Sequence, residues 1–118
     1  RYRLKDGDGA LYRLFSIYIH RSKITHIDFK LSIEQFKNLT SSSCHYCKSP
    51  PSLIQKAQKN GTKGNYIYNG IDRVDNNLGY IIENCVPCCS ICNYAKRNMT
   101  LEEFKSWISK LISNYANF

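Results

Sequence analysis

Six cysteines stand in a chain of 118 residues, and their spacing is the first sign of chemistry. Cys44 and Cys47 form one C-x2-C pair, and Cys89 and Cys92 form another. Four thiolates suit tetrahedral zinc, and an x2 spacing lets both sulfurs of a tight turn face one ion. Cys85 and Cys88 have the same spacing and compete with Cys89 and Cys92 for the second half of the site. A helix beginning near Ser90 would favour Cys89 and Cys92, because the positive helix end stabilises thiolates. Cys85 and Cys88 would then be small buried apolar residues. A four-thiolate site is closed, so it stabilises a fold and hydrolyses nothing. Any catalysis must come from other residues.

The elements that must position such residues are legible around the second pair. Residues 69–96 read N-G-I-D-R-V-D-N-N-L-G-Y-I-I-E-N-C-V-P-C-C-S-I-C-N-Y-A-K. Residues 71–74 predict a first strand, 76–79 a turn, 80–86 a stretch that includes a second strand, and Ser90 the start of a helix. Further upstream, Leu11, Leu14, Phe15, Tyr18 and Ile19 recur at helical spacing and predict a helix over 10–21. Ser32 with Gln35 makes a capping box that opens a short second helix, with residues 26–29 as an extended link before it. Thr100 with Glu103 repeats the box. Leu101, Phe104, Trp107, Ile108, Leu111 and Ile112 follow it as the core-facing stripe of a helix over 101–114. The fold class is α+β.

Seventeen Lys and Arg against nine Asp and Glu leave a formal charge of +8, which predicts a polyanionic partner, nucleic acid first. Between Gln35 and Ile71 there is no acidic residue, while Lys37, Lys48, Lys56, Lys59 and Lys63 stand there with Gly61 and Gly64. That run reads either as a phosphate-contacting loop or as lysine-rich solvated surface. No apolar run approaches the ~18 residues of a spanning helix, and no signal-like start is present. No membrane partner is expected, and the chain reads as soluble and intracellular. Cysteines are reduced in that setting, and C-x2-C pairs bind metal. The length suits a single domain, 1–118, small enough to need a staple. The chain does not begin with Met, so it reads as a processed product or as part of a larger protein.

Taken together, Cys44 and Cys47, Asp72-Arg73, Gly79-Tyr80 before Asn84, and Cys89, Cys92, Asn93 and Lys96 resemble the HNH (ββα-metal, His-Me finger) endonuclease family. The branch they resemble is the zinc-knuckle one with Asp-Arg in place of Asp-His. The resemblance covers about 44–104. It implies a zinc-stapled ββα-metal core over about 69–99, a knuckle formed by 44–47 with 89–92, N-terminal helices and a C-terminal helix. The activity it implies is metal-dependent hydrolysis of DNA phosphodiester bonds, of homing, restriction or phage/viral type. By the same resemblance Asp72 and Asn93 hold a catalytic Mg2+ or Mn2+, a number of protein oxygens that suffices because magnesium keeps waters and takes phosphate oxygens. Asn84 would hold the loop between the strands. Lys48, Lys56, Lys59, Lys63, Lys96 and Arg97 would contact the DNA backbone. A phage, viral or mobile-element origin is also implied, and the Asn-, Ile-, Lys- and Tyr-rich composition fits an AT-rich genome.

Arg73 departs from the usual pattern, because it occupies the place of the histidine that deprotonates water. Arginine stays protonated and cannot be that base, although its fork suits the scissile phosphate. The bland alternative is a surface ion pair with Asp72 or Asp75. Tyr46, His26, His45 or a metal-bound hydroxide must then activate water. Histidine, near 6.5, matches neutral pH better than tyrosine, near 10. Tyr46, however, sits between two zinc ligands, where Arg73 and a cation would lower its pKa, and the branch resembled carries a tyrosine there. The assignment is Tyr46, with His26 as helper or replacement. A non-catalytic zinc-ribbon-like nucleic-acid-binding module would satisfy the charge and the cysteines but leave Asp72 and Asn93 unexplained. A carboxylate against phosphate costs binding unless a cation intervenes. A redox or scaffold domain gives no reason for the charge. One such site cuts one phosphodiester at a time, so a double-strand break needs a homodimer or sequential nicking.

Overall fold

The computed structural model describes residues 5–58 and 63–116. Helix α1 (Asp8–Ile24) is longer than its apolar spacing predicts. Gly7, at φ 90°, turns the chain into it, in a conformation that favours glycine. The helix buries Ala10, Leu11 and Leu14. At its far end Thr25 and His26 form a turn, with His26 at φ 58°, so the extended link begins only after residue 26. Helix α2 (Ile33–Thr40) starts as its capping box requires: Gln35 N–H donates to Ser32 Oγ, and Ser32 N–H to Gln35 Oε1. It buries Phe36 and Leu39. The rings of Phe15 and Tyr18 meet Phe36 edge-on at 5.1 Å each, a favoured arrangement for aromatic pairs. Leu11, Leu14, Leu31, Ile71 and Cys85 complete this core.

After the Cys44–Cys47 turn, β1 (Leu53–Gln55) pairs antiparallel with β2 (Tyr66–Tyr68), inside the stretch read from sequence as a lysine-rich loop. Strand β3 (Gly70–Arg73) pairs antiparallel with β4 (Cys85–Cys88), Asp72 opposite Val86. The second strand expected within 80–86 is therefore displaced: residues 82–84 form a 3-10 turn, and Tyr80 bridges to Phe29 instead. Gly79 explains the displacement. A Cβ there would stand 2.5 Å from the Asp28 carbonyl oxygen, so the chain packs against the α1–α2 link at this point and joins the hairpin only afterwards. β4 tolerates Pro87 because its sheet has only two strands, and an edge strand can lack an N–H.

Helix α3 (Ser90–Lys96) begins at Cys89, and α4 (Leu101–Tyr115) begins at Thr100 with its predicted capping box. The stripe on α4 is core only at Phe104, the one buried residue of that helix. Trp107, Leu111, Ile112 and Tyr115 are exposed, which corrects the expectation of a fully core-facing stripe. Helical spacing identifies an apolar face but not whether anything lies against it.

Candidate active site

The zinc ligands are identified by where four sulfurs converge. Cys85 and Cys88 lie at the two ends of β4 and are buried, and burial pushes the Cys85 thiol up to about 11 and the Cys88 thiol higher still. Burial raises the Cys92 thiol as well and covers Cys44 and Cys89 equally, so the position of the sulfurs, not their burial, separates the ligands from Cys85 and Cys88. The Sγ atoms of Cys44, Cys47, Cys89 and Cys92 lie within 4.8 Å of one another. Cys47 and Cys89 Sγ are 3.6 Å apart, against the roughly 3.8 Å edge of a tetrahedron with Zn–S near 2.3 Å. Hydrogen bonding from Ser49 lowers the Cys47 thiol to about 6. Lys48, at φ 66°, closes the turn by donating its N–H to the Cys44 carbonyl at 2.9 Å. The cluster fits a structural Zn2+.

β3 and α3 bring Asp72 and Asn93 to one cleft of about 650 Å³, whose walls also carry Arg73, Arg97, Tyr80 and Tyr94. Asp72 is buried, 5% exposed. Its Oδ2 accepts a 2.6 Å hydrogen bond from the Tyr46 hydroxyl and lies 3.2 Å from the Lys96 ammonium. Oδ1 accepts no hydrogen bond among the described residues. A free carboxylate oxygen and an exposed amide on one cleft make the hard donor set that a small divalent cation takes, so the residues fit that ion.

Tyr46 packs edge-on against Phe104 at 5.4 Å. Burial, and then its hydrogen bond to Asp72, push the phenol well above the usual tyrosine value. His26 is exposed and is not in the cleft wall, although Thr25 and Ile27 beside it line a smaller adjoining pocket that also touches Asn93. His45 is exposed, its ring edge-on to Tyr46 at 5.1 Å. Arg73 Nη1 donates to the carbonyls of Asn76 and Leu78, at 3.1 and 2.8 Å, and its guanidinium lies 5.4 Å from the centre of the Tyr80 ring.

Asn84 is buried and bonded on both sides of its amide: Oδ1 accepts from Asp75 N–H, and Nδ2 donates to the carbonyls of Asp75, Leu78 and Gly79. Lys48, Lys56 and Lys63 are exposed. Lys59 and Gly61 lie outside the described residues. Lys96 is a correction: it is fully buried and paired with Asp72, so it cannot reach a phosphate from the surface. Packing decided this, because α3 lies against β3 and Lys96 is on the side that meets Asp72.

Arg21, Gln55 and Tyr68 also line the cleft and were not singled out from sequence. For Arg21 a signal existed, since it continues the buried side of α1 one turn beyond Tyr18. Gln55 and Tyr68 depended on the β1–β2 pairing, whose strands are too short to show an alternation.

No model of a protein family matches this chain. It is 37% identical over 92 residues, 78% of its own length, to the uncharacterized protein R423 of Acanthamoeba polyphaga mimivirus. It spans only 15% of that relative's length. Among solved structures, it superposes on the rare-cutting HNH restriction endonuclease PacI with a TM-score of 0.57 and 19% identity, covering 90% of this chain and 81% of that one. Among the described residues no helix is long and apolar enough to cross a membrane. The α+β architecture, with its N-terminal helices, small hairpins, four-cysteine cluster and C-terminal helix, is a fold that resembles the HNH fold of PacI.

Proposed function

We propose that this chain is a metal-dependent HNH-type endonuclease domain that hydrolyses DNA phosphodiester bonds, of viral or mobile-element origin. The observation that carries the reading is the convergence of Asp72 and Asn93 on one arginine-lined cleft, beside a four-cysteine cluster that holds their elements. Lys96 and Tyr46 occupy only Oδ2 of Asp72, which leaves Oδ1 as a hard donor beside the Asn93 amide, and a divalent cation there would draw a phosphate into the cleft.

Asp72 and Asn93 hold the Mg2+ or Mn2+, which when bound supplies charge stabilisation at phosphorus and at the leaving oxygen. Arg73 grips the scissile phosphate beside Tyr80, while Arg21 and Arg97 hold the backbone on the cleft walls. Tyr46 is the group assigned to take the proton of water, with His26 as its replacement. In that role the phenol must first give up its own proton to bulk water and act as phenolate; burial and the hydrogen bond to Asp72 oppose this, against the lowering expected from Arg73, and a bound cation would have to offset them. Lys48, Lys56, Lys59 and Lys63 extend the phosphate contacts. Double-strand cleavage would need a second copy or a larger assembly.

The test is nicking of supercoiled plasmid with Mg2+ or Mn2+, with an EDTA control. Wild type should cut and Asp72→Ala should not; equal activity of the two, or DNA shifted in a gel and never nicked, defeats the reading. Tyr46→Phe separates the roles of the phenol. Undiminished cutting by that variant removes Tyr46 from proton transfer.

A further inference from the structure

The least expected side chain in the molecule is Lys96. It is completely buried, and its ammonium has a charge partner, Asp72 Oδ2, at 3.2 Å. The ammonium lies off the direction that a hydrogen bond needs, so this contact is charge attraction alone, and Nζ donates to no described residue. A buried ammonium costs several kcal/mol of desolvation, and an apolar chain of similar volume fills such a space more cheaply. Stability therefore gives no reason for a lysine here.

We propose that Lys96 is a positioning residue for the metal-binding carboxylate: it keeps Asp72 held at Oδ2 when the Tyr46 hydroxyl leaves that oxygen to act on water, so that Oδ1 alone faces the cation. This rests on the reading that Asp72 and Asn93 take a divalent ion. Both contacts to the carboxylate are made at the same oxygen. Carboxylates bind cations through one oxygen or through two, and Mg2+ demands near-ideal octahedral geometry. A carboxylate fixed at Oδ2 can offer only Oδ1, which leaves the remaining positions to Asn93, water and phosphate. Lys96 lies three residues after Asn93, so one helix carries both the amide that lines the cleft and the ammonium that meets Asp72.

The arrangement has a cost with a recognisable sign. A fixed ammonium next to the site repels the cation, so Lys96 weakens metal binding while it aligns the ligand. A residue that only supported the fold would lower binding and cutting together when removed.

The experiment uses the full zinc-loaded chain and measures Mn2+ uptake by electron paramagnetic resonance alongside plasmid nicking, for wild type, Lys96→Met, Lys96→Gln and Asp72→Ala. In Lys96→Met, Mn2+ should bind roughly fivefold or more tighter, from loss of the repelling charge. Nicking should be roughly tenfold or more slower, from loss of alignment. Lys96→Gln, which likewise lacks the charge that holds Oδ2, should bind Mn2+ as tightly as Lys96→Met and cut as slowly. If Lys96→Met fails to fold, the glutamine variant decides the matter by the same pair of readings. Binding and rate that fall together, or do not move, overturn the positioning role while leaving the metal site intact. Wild type taking up no more Mn2+ than Asp72→Ala overturns the metal site, and this inference with it.

Discussion

The Tyr46 hydroxyl donates to Asp72 Oδ2 across 2.6 Å, joining the Cys44–Cys47 turn to the middle of β3. Tyr46 stands between two cysteines of the cluster, and Asn93 follows directly after a third, Cys92. A zinc ion held there would fix the turn that carries Tyr46 and the helix that carries Asn93. Phe104 of α4 closes the far side of the Tyr46 ring.

Zinc removal should unfold this arrangement. Cys44→Ser or Cys92→Ser should abolish stoichiometric zinc and lower the unfolding midpoint by about 10 °C or more, because a structural site contributes folding energy directly. Cys85→Ala should keep one zinc per chain and cost only about 1 kcal/mol, the loss of one buried sulfur. Metal analysis with thermal melts checks both, and a Cys85→Ala protein without zinc would overturn the ligand set.

Acid should release the metal. The Cys47 thiol has its pKa lowered to about 6 from 9.0, so its thiolate is available above pH 6 and is lost as the pH falls through that value. Protons then compete with zinc, and affinity must fall with falling pH. Zinc retention measured from pH 8 downward should fall as the solution is acidified. Retention that improves on acidification would contradict the sign.

Asn84→Ala should cost about 1–2 kcal/mol, because it removes the buried amide that bonds the Asp75 N–H and the loop carbonyls. Arg73 donates to carbonyls of the same loop, so activity should fall in parallel with stability. Urea unfolding and nicking rates check the pair of effects.

Phe104→Ala should lower stability by about 3 kcal/mol, as for a buried aromatic truncated to a cavity. Ile112→Ser, eight residues further along the same helix and 63% exposed, should change it by less than about 0.5 kcal/mol. Equal losses would show that the outer part of α4 is covered in solution.

Arg21→Ala should weaken DNA binding and reduce the slope of log affinity against log salt by about 1, the signature of one lost phosphate contact. The melting temperature should barely move, since Arg21 is exposed at the end of α1. A changed affinity with an unchanged salt slope would place Arg21 off the phosphate.

Local chemistry made much of this protein legible in one dimension. Capping boxes are complete within four residues, and so Ser32 and Thr100 mark their helices correctly. The C-x2-C spacing likewise shows a tetrathiolate site without knowledge of the fold. What sequence left open was which second pair closes it, and the tertiary structure decided that, bringing Cys89 and Cys92 at the start of α3 to Cys44 and Cys47 while β4 carries Cys85 and Cys88 at its two ends. The short β1–β2 hairpin, the displaced second strand and the unburied face of α4 depended on contacts with distant segments, which no local period records. Lys96 is the sharpest case. A lysine one turn past a zinc ligand looks like surface, and only the packing of α3 against β3 turns it inward, because the single carboxylate able to balance its charge is Asp72.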